Sequence, residues 1–431
     1  MRTATISRLA CSIGAATLAA LAACNGDNPT EPRVVMPTIA PPTALAGGSI
    51  TVTYCATQAP IWSAEQDGSG TWKRVLPTSG TTFVYTFTTG KGGVATVKKS
   101  GSGFSLDVVF ATLADFGGQT KSTILGCPGT KIVNGSVANV PTGQVASVDL
   151  GTAATFLFGG GPTTFTLNNV QNGPRDLLAA RSNTSLLVNS IIIRRSLNPT
   201  SGSTLPVLDF GSSAAFPPAT AKATVSGLPT GAKASVAVLF FSPRGTGAAL
   251  AAASNVANVS IPYEAIPIAK LVTGEFQLLA GTTSPSTTTT RLTGVWLRTI
   301  VNRPLAFGPA LPTATISSAA TTPYYRPKVA LASQAQYNKA ISVTYSQSAV
   351  ARTASVFATA AYFGAVPTTW SLALPDLHAV SGFLTTWAPE NGKATNWNLQ
   401  ALGGTLPFFS TSPTDGSTFL SAGRSGSLTS P

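Results

Sequence analysis

Hydrophobic and polar residues alternate along most of this 431-residue chain. Because successive side chains of a β-strand point to opposite faces of a sheet, alternation with a period of two is typical of strands that are buried on one face. The clearest examples are Ser49–Cys55, Thr82–Thr88, Lys339–Ser346, Ala354–Phe363 and Thr369–Pro375. The pattern therefore predicts an all-β protein.

Helices are not expected, because 41 glycines and 31 prolines interrupt the chain too often for long helical segments. Only Ala248–Ala257 and parts of Ser333–Asn338 are candidates for helical turns, and neither has a 3.6-residue apolar stripe. We expect the Thr/Ser-rich tract Gly281–Thr290 to be an exposed hairpin connection. The Gly/Ser/Thr-rich tail after Ser410 is expected to be partly disordered.

The N-terminus has the layout of an export signal. Arg2 and Arg8 precede the apolar run Leu9–Ala23, and no acidic residue lies ahead of this run. A basic start, a short apolar segment and small residues before a cut define a secretory signal peptide. The alternatives are a buried core helix or a transmembrane helix, although a membrane span needs about 20 apolar residues.

The run ends in Leu21-Ala22-Ala23-Cys24, which resembles the lipobox of bacterial lipoproteins. The resemblance implies that residues 1–23 are removed and that Cys24 is acylated, with the lipid bilayer as its partner. Two or three acyl chains give a stable anchor, whereas one chain gives only marginal binding. The residue directly after Cys24 is Asn25, whereas an aspartate at this position would resemble an inner-membrane retention signal. We therefore expect the protein to be anchored in the outer membrane, on either of its faces.

The lipobox resemblance also bears on the remaining cysteines. If Cys11 leaves with the signal and Cys24 is acylated, Cys55 and Cys127 are the two that remain. Export permits disulfides, and a bond between them would close a loop of about 70 residues, worth roughly 4 kcal/mol by chain entropy. The alternative is two unrelated buried thiols.

Composition and turn signals predict a flexible Pro-rich tether followed by several Ig-like or transthyretin-like β-sandwich modules in tandem. The tether covers residues 24–46. The predicted modules are a disulfide-bonded sandwich at 47–128, a second sandwich at 129–218, a β module at 219–312 and a C-terminal β module with its tail at 313–431.

The second module carries the pattern Gly-x-Val, a strand, and then Phe-x-Leu-x-x-Val-x-x-Gly before a hydrophobic strand. The segments concerned are Lys131–Val137, Val145–Leu150 and Thr164–Arg181. This order resembles the carboxypeptidase-regulatory or transthyretin-like β-sandwich, and it covers about 65 residues. The resemblance implies a fold and no catalytic residues, because this domain carries none in that family.

The charge of the chain adds little to the prediction of its partners. Charged residues make up only 10% of the chain, and its net charge is +13. The tight basic pairs Lys73-Arg74, Lys98-Lys99 and Arg194-Arg195 are scattered, whereas nucleic-acid-binding proteins cluster their basic residues. We therefore expect no nucleic-acid partner and at most a mild attraction to anionic envelope polymers or lipid head groups.

Catalytic and metal-binding patterns are sparse. His378 is the only histidine, and Asp376 shares its face in an extended stretch, but Ser381 falls on the opposite face. A zinc site needs three or four ligands, and no phosphate-binding loop or acidic calcium loop occurs in the sequence. We expect no metal, no cofactor and no enzymatic activity, with a hydrolase that uses His378 as the weaker alternative.

A candidate ligand site lies near the C-terminus, where Trp370, Trp387 and Trp397 accompany Asn391. Exposed aromatic rings beside amides suit stacking on sugar rings, but core packing of these tryptophans is the favoured interpretation. The sequence thus predicts a non-catalytic, lipid-anchored envelope protein that binds or scaffolds an envelope polysaccharide or another envelope protein. Glycan binding by the tryptophan set is the alternative.

Overall fold

The structure is a computed structural model that describes residues 46–116, 129–161, 163–183, 187–244, 247–405 and 413–431. These ranges contain 27 β-strands, five 3-10 helices of three residues each and no α-helix. The all-β prediction is therefore confirmed, and the arrangement of the strands in several sheets agrees with β-sandwich modules. None of the described helices has the length and apolarity that a membrane span needs.

The first segment contributes six strands. They are β1 Gly48–Thr53, β2 Trp62–Asp67, β3 Lys73–Val75, β4 Thr82–Phe87, β5 Lys91–Ser100 and β6 Gly103–Thr112, with a 3-10 helix at Ala56–Gln58. Strand β1 pairs antiparallel with β4, while the other four belong to a much larger sheet. The alternation in β4 buries Phe83, Tyr85 and Phe87 against Val94 of β5 in a small local core.

The second segment is a two-sheet sandwich. Its strands are β7 Lys131–Ala138, β8 Gln144–Leu150, β9 Ala153–Phe158, β10 Thr164–Val170, β11 Arg175–Asn183, β12 Val188–Leu197 and β13 Leu208–Asp209. They form sheets with the orders β10-β7-β13 and β12-β11-β8-β9. One core contains residues of both sheets, including Val133, Val148, Leu167 and Ile192.

The third segment comprises β14 Ala219–Ser226, β15 Ala234–Phe241, β16 Gly247–Val256, β17 Ser260–Ala265, β18 Phe276–Ser286, β19 Thr289–Leu297 and β20 Arg303–Ala306, with a 3-10 helix at Ile268–Lys270. Strands β17-β14-β20 form one sheet, and the other four enter the large sheet. The core around Val236 and Phe240 also includes Leu178 and Ile191 of the second segment. The second and third segments therefore share a packed interface.

The C-terminal segment comprises β21 Thr315–Ala320, β22 Arg326–Ala332, β23 Ala340–Gln347, β24 Arg352–Thr359, β25 Thr369–Ala373, β26 Ala394–Gly403 and β27 Thr418–Thr429. Its 3-10 helices are Ser348–Val350, Ala361–Phe363 and Thr385–Trp387. Strands β21-β22-β25 form a three-stranded sheet. The largest core of the described residues joins this sheet, through Val329 and Leu372, to Leu106, Val343 and Val356 of the large sheet.

The large sheet, called the wide sheet below, has twelve strands in the order β16-β15-β18-β19-β27-β26-β23-β24-β6-β5-β2-β3. Strand β24 pairs parallel with β6, so that residues 352–358 meet residues 104–110. Strand β27 lies antiparallel between β19 and β26. Strand pairing thus crosses the predicted boundaries between the first, third and C-terminal modules.

Three local expectations need correction. The tail after Ser410, expected to be partly disordered, contains β27, whose backbone is paired on both sides and whose Ala422 is 1% exposed. The tract Gly281–Thr290 contains the expected exposed hairpin connection, but the turn is short, because β18 ends at Ser286 and β19 begins at Thr289. The candidate helical turn at Ala248–Ala257 is largely strand β16. Strand β27 pairs with strands that are remote in sequence, whereas β16 and β18 pair within the third segment. In each case strand pairing outweighs the weak local preference of small residues.

Candidate functional site

Trp370 lies in the core and is not available to a ligand. It is 1% exposed on β25, where it pairs with Leu331 of β22. Its ring meets Phe363 edge-on at a centroid distance of 5.9 Å. The register explains this burial, because Trp370 and Leu372 alternate with exposed Thr369 and Ser371.

Trp387 is partly buried at the end of the 3-10 helix Thr385–Trp387. Its ring contacts Trp62, Phe104 and Phe383 at centroid distances of 6.4, 6.3 and 5.7 Å. The Arg352 guanidinium lies 4.9 Å from the Phe104 centroid. The contacts connect the first and C-terminal segments, so Trp387 joins two parts of the chain and presents only part of its ring to solvent.

Trp397 and Asn391 have separate surroundings. Trp397 pairs with Tyr345 and Gly426 in the wide sheet, and a Cβ at Gly426 would lie 2.6 Å from its ring. Glycine at residue 426 therefore makes room for the indole. Asn391 is exposed, and its Nδ2 donates to the Thr321 carbonyl at 2.7 Å. Within the described ranges, no ring contact joins Trp370, Trp387 and Trp397 to each other.

His378 forms an exposed pair with Asp376. Its Nδ1 lies 2.6 Å from Asp376 Oδ1, and Arg326 Nη1 lies 3.3 Å from Oδ2 of the same carboxylate. Partial desolvation raises the pKa of Asp376, but hydrogen bonds from His378 and the Arg326 charge outweigh it and hold the pKa below its ordinary value. Ser381 uses its carbonyl oxygen to accept from Trp62 Nε1 at 3.2 Å.

The lipidation residue Cys24 and the second disulfide residue Cys127 lie outside the described residues. Cys55 is 7% exposed and directly precedes the 3-10 helix Ala56–Gln58. The bond between Cys55 and Cys127 stays a prediction. Among the described residues, no group of three His, Cys, Asp or Glu side chains is placed to hold a metal ion.

Two buried carboxylates join the second and third segments. Glu275 has a fully buried side chain and accepts from Arg195 Nε and Nη2 at 2.6 and 2.8 Å. Asp176 is equally buried and lies 3.3 Å from Arg244 Nη1. Because each carboxylate is enclosed and faces a neighbouring segment, these pairs organise an interface and do not form an open site.

Over five adjacent strands, β6, β24, β23, β26 and β27, the wide sheet has a polar, solvent-accessible face that the sequence alone does not identify. Two rows of side chains cross β6, β24, β23, β26 and β27 in register. The first row is Ser105, Thr353, Ser346, Asn396 and Ser427. The second row is Asp107, Ser355, Thr344, Asn398 and Ser425. We call these ten residues the open face, and all ten are partly or fully exposed.

Alternation is the signal that could have located the open face. In β23 the outward Thr344 and Ser346 alternate with Val343 and Tyr345, which are 0% exposed. Each strand read alone indicates which side chains point outward. The assembly of five such strands into one surface depends on pairings between distant segments, so the pattern of any single strand did not indicate it.

Comparisons with known proteins give no family for this chain. No family model and no curated protein matches it. Two solved structures align weakly with it, the Bacillus anthracis TIE protein and a streptococcal ancillary pilin. The first has 6% identity and a TM-score of 0.15, and the alignment covers 61% of this chain and about half (51%) of that protein. The second has 7% identity and a TM-score of 0.14, with 61% and 100% coverage. These similarities carry no functional argument.

Proposed function

We propose that this protein is a lipid-anchored component of the bacterial cell envelope, outer-membrane in location, that binds or scaffolds without catalysis. The observation that carries the proposal is Leu21-Ala22-Ala23-Cys24 at the end of a basic and then apolar N-terminal segment. An acylated Cys24 followed by the Pro-rich residues 24–46 would hold the β-sheet body at a distance from the bilayer.

Two features of the body support a binding role over a catalytic one. The carboxylate of Asp376 is shared between His378 and Arg326, an arrangement typical of a surface ion-pair network. The open face, by contrast, offers a broad set of polar groups on a rigid sheet. A scaffold of this kind suits recognition of an extended partner in the envelope.

The test is lipidation and membrane fractionation of the full chain with Cys24→Ser. We expect the wild-type protein to begin at an acylated Cys24 by mass analysis and to sediment with outer membranes. The Cys24→Ser variant should keep its signal and lose the acyl mass. Cys11→Ser is the matched control, because it changes a cysteine within the signal and should leave acylation intact. An unmodified wild-type Cys24 would contradict the proposal.

A further inference from the structure

Most side chains of the open face have unused hydrogen-bonding groups. Asp107, Ser105 and Ser355 are the exceptions, because Asp107 Oδ1 accepts from Ser355 at 2.6 Å and from Ser105 at 3.2 Å. Among the described residues, the other seven side chains of the open face make no side-chain hydrogen bond to protein. The seven are Thr344, Ser346, Thr353, Asn396, Asn398, Ser425 and Ser427. Hydroxyls and primary amides both donate and accept, so the surface presents both kinds of group.

The open face is also close to electrically neutral, although the chain as a whole carries a net charge of +13. Its one charged residue, Asp107, has Lys98 Nζ at 3.8 Å, and Lys98 extends the first row on β5. Surfaces that bind nucleic acid or anionic lipid are basic, and sites for protein partners have an apolar centre. Neither description fits this surface, whereas neutral hydroxyl-rich ligands match it.

The geometry of the rows is repetitive. Each row crosses five adjacent strands, so its side chains recur at the interstrand distance of about 4.8 Å and the row spans about 20 Å. This step is comparable to the length of one pyranose ring along a polysaccharide. Neighbouring strands are rotated by roughly 20–25°, so the rows turn along the sheet. A single flexible chain can follow that turn, whereas a flat crystalline surface cannot.

From these observations we infer that the open face binds a single chain of neutral polysaccharide, laid across β6, β24, β23, β26 and β27. The inference deepens the proposed function, on which it rests, by naming the class of partner. It assigns recognition to Asn396 and Asn398, the β26 members of the two rows, and not to Trp370, Trp387 or Trp397. Binding consists of hydrogen bonds between sugar hydroxyls and side chains on a preformed sheet.

The experiment is a binding titration of the purified full chain with a soluble β-1,3-glucan and with cellohexaose, using Asn396→Ala/Asn398→Ala as the test variant. We expect the wild-type protein to bind at least one probe. The variant should bind that probe at least about tenfold more weakly, because it loses several hydrogen bonds. Asn168→Ala is the matched control, since Asn168 is an exposed strand asparagine on a separate sheet and its loss should leave Kd unchanged.

Thermal unfolding of each variant shows whether a loss of binding reflects a loss of folding, and we expect equal midpoints. Failure of the wild-type protein to bind either probe would overturn the inference. Binding that survives the double substitution would also overturn it. So would a solution dimer that the double substitution dissociates, because a second copy of the chain would then occupy the surface. Acylation of Cys24 is read separately, so these failures leave the proposed function standing.

Discussion

The two faces of the wide sheet are built from the same strands and have opposite environments. On β23, β24 and β26, the side chains of Val343, Val356 and Leu399 are 0% exposed and face the three-stranded sheet through the largest core. Their sequence neighbours Thr344, Ser355 and Asn398 belong to the open face. One residue along the chain therefore separates a position that stabilises the fold from one that is free to bind.

The largest difference in stability should appear when a charge is placed on each face of the wide sheet in turn. Val343→Asp buries a carboxylate without a partner, and we expect it to cost about 4 kcal/mol or more or to prevent folding. Thr344→Asp, one residue later, adds the same group to a solvated surface and should change stability by about 1 kcal/mol or less. Urea denaturation of the two variants measures the difference, and similar losses would contradict the assignment of the faces.

A second pair of substitutions, which removes side chains without adding charge, compares the same two faces. Leu399→Ala removes a fully buried side chain and should destabilise the protein by about 3 kcal/mol, since the surrounding core cannot fill the cavity. Asn398→Ala on the opposite face should stay within about 0.5 kcal/mol of the wild type. The midpoints of urea-induced unfolding report both values. A large loss for Asn398→Ala would show that the open face is structural.

A pH-dependent effect is expected where a polar residue lies on a sheet face that a neighbouring segment partly covers. Asp149 on β8 is paired with Leu178 and Ala154, and Leu178 belongs to the core shared with the third segment. Burial raises the pKa of Asp149 to about 7. When the pH lies between about 4, the ordinary pKa of an aspartate, and about 7, Asp149 has released its proton in the unfolded chain but keeps it in the folded chain. The stability contributed by the protonated group is therefore lost as the pH rises through this window.

We expect Asp149→Asn to remove that loss, so that its unfolding temperature falls less between pH 4 and pH 8 than that of the wild type. Thermal melts across this range are the measurement. Asp209→Asn is the control, because a hydrogen bond from Asn139 and one from the Gly211 backbone hold the pKa of this exposed carboxyl below its ordinary value. The Asp209 variant should keep the decline toward high pH. Identical profiles for Asp149→Asn and the wild type would contradict the raised pKa of Asp149.

Much of the local structure could be predicted from alternation. The runs Thr82–Thr88, Lys339–Ser346 and Thr369–Pro375 were expected to be strands, and the structure has strands at Thr82–Phe87, Ala340–Gln347 and Thr369–Ala373. The tail was misjudged because Gly, Ser and Thr carry little apolar surface of their own. Strand β27 is ordered by two neighbours that are remote in sequence, β19 and β26.

Candidate binding residues were harder to predict than strands. Residue type drew attention to Trp370, although its place in an alternating strand beside Leu372 already favoured burial. Asn396 and Asn398 are ordinary outward residues of one strand, and nothing in that strand distinguishes them. They become part of a surface only when Ser346 and Thr344 lie beside them on one side and Ser427 and Ser425 on the other.

By itself, the sequence determined the all-β class and which side chains of each strand share a face, because a strand's two faces follow from its period of two. It also carries the N-terminal motif on which the proposed location rests. Only the tertiary structure decided which strands are neighbours, since backbone hydrogen-bonding groups are the same in every strand and do not encode a partner. The pairing of β24 with β6, across some 250 residues, is therefore a property of the whole chain, and so is the open face.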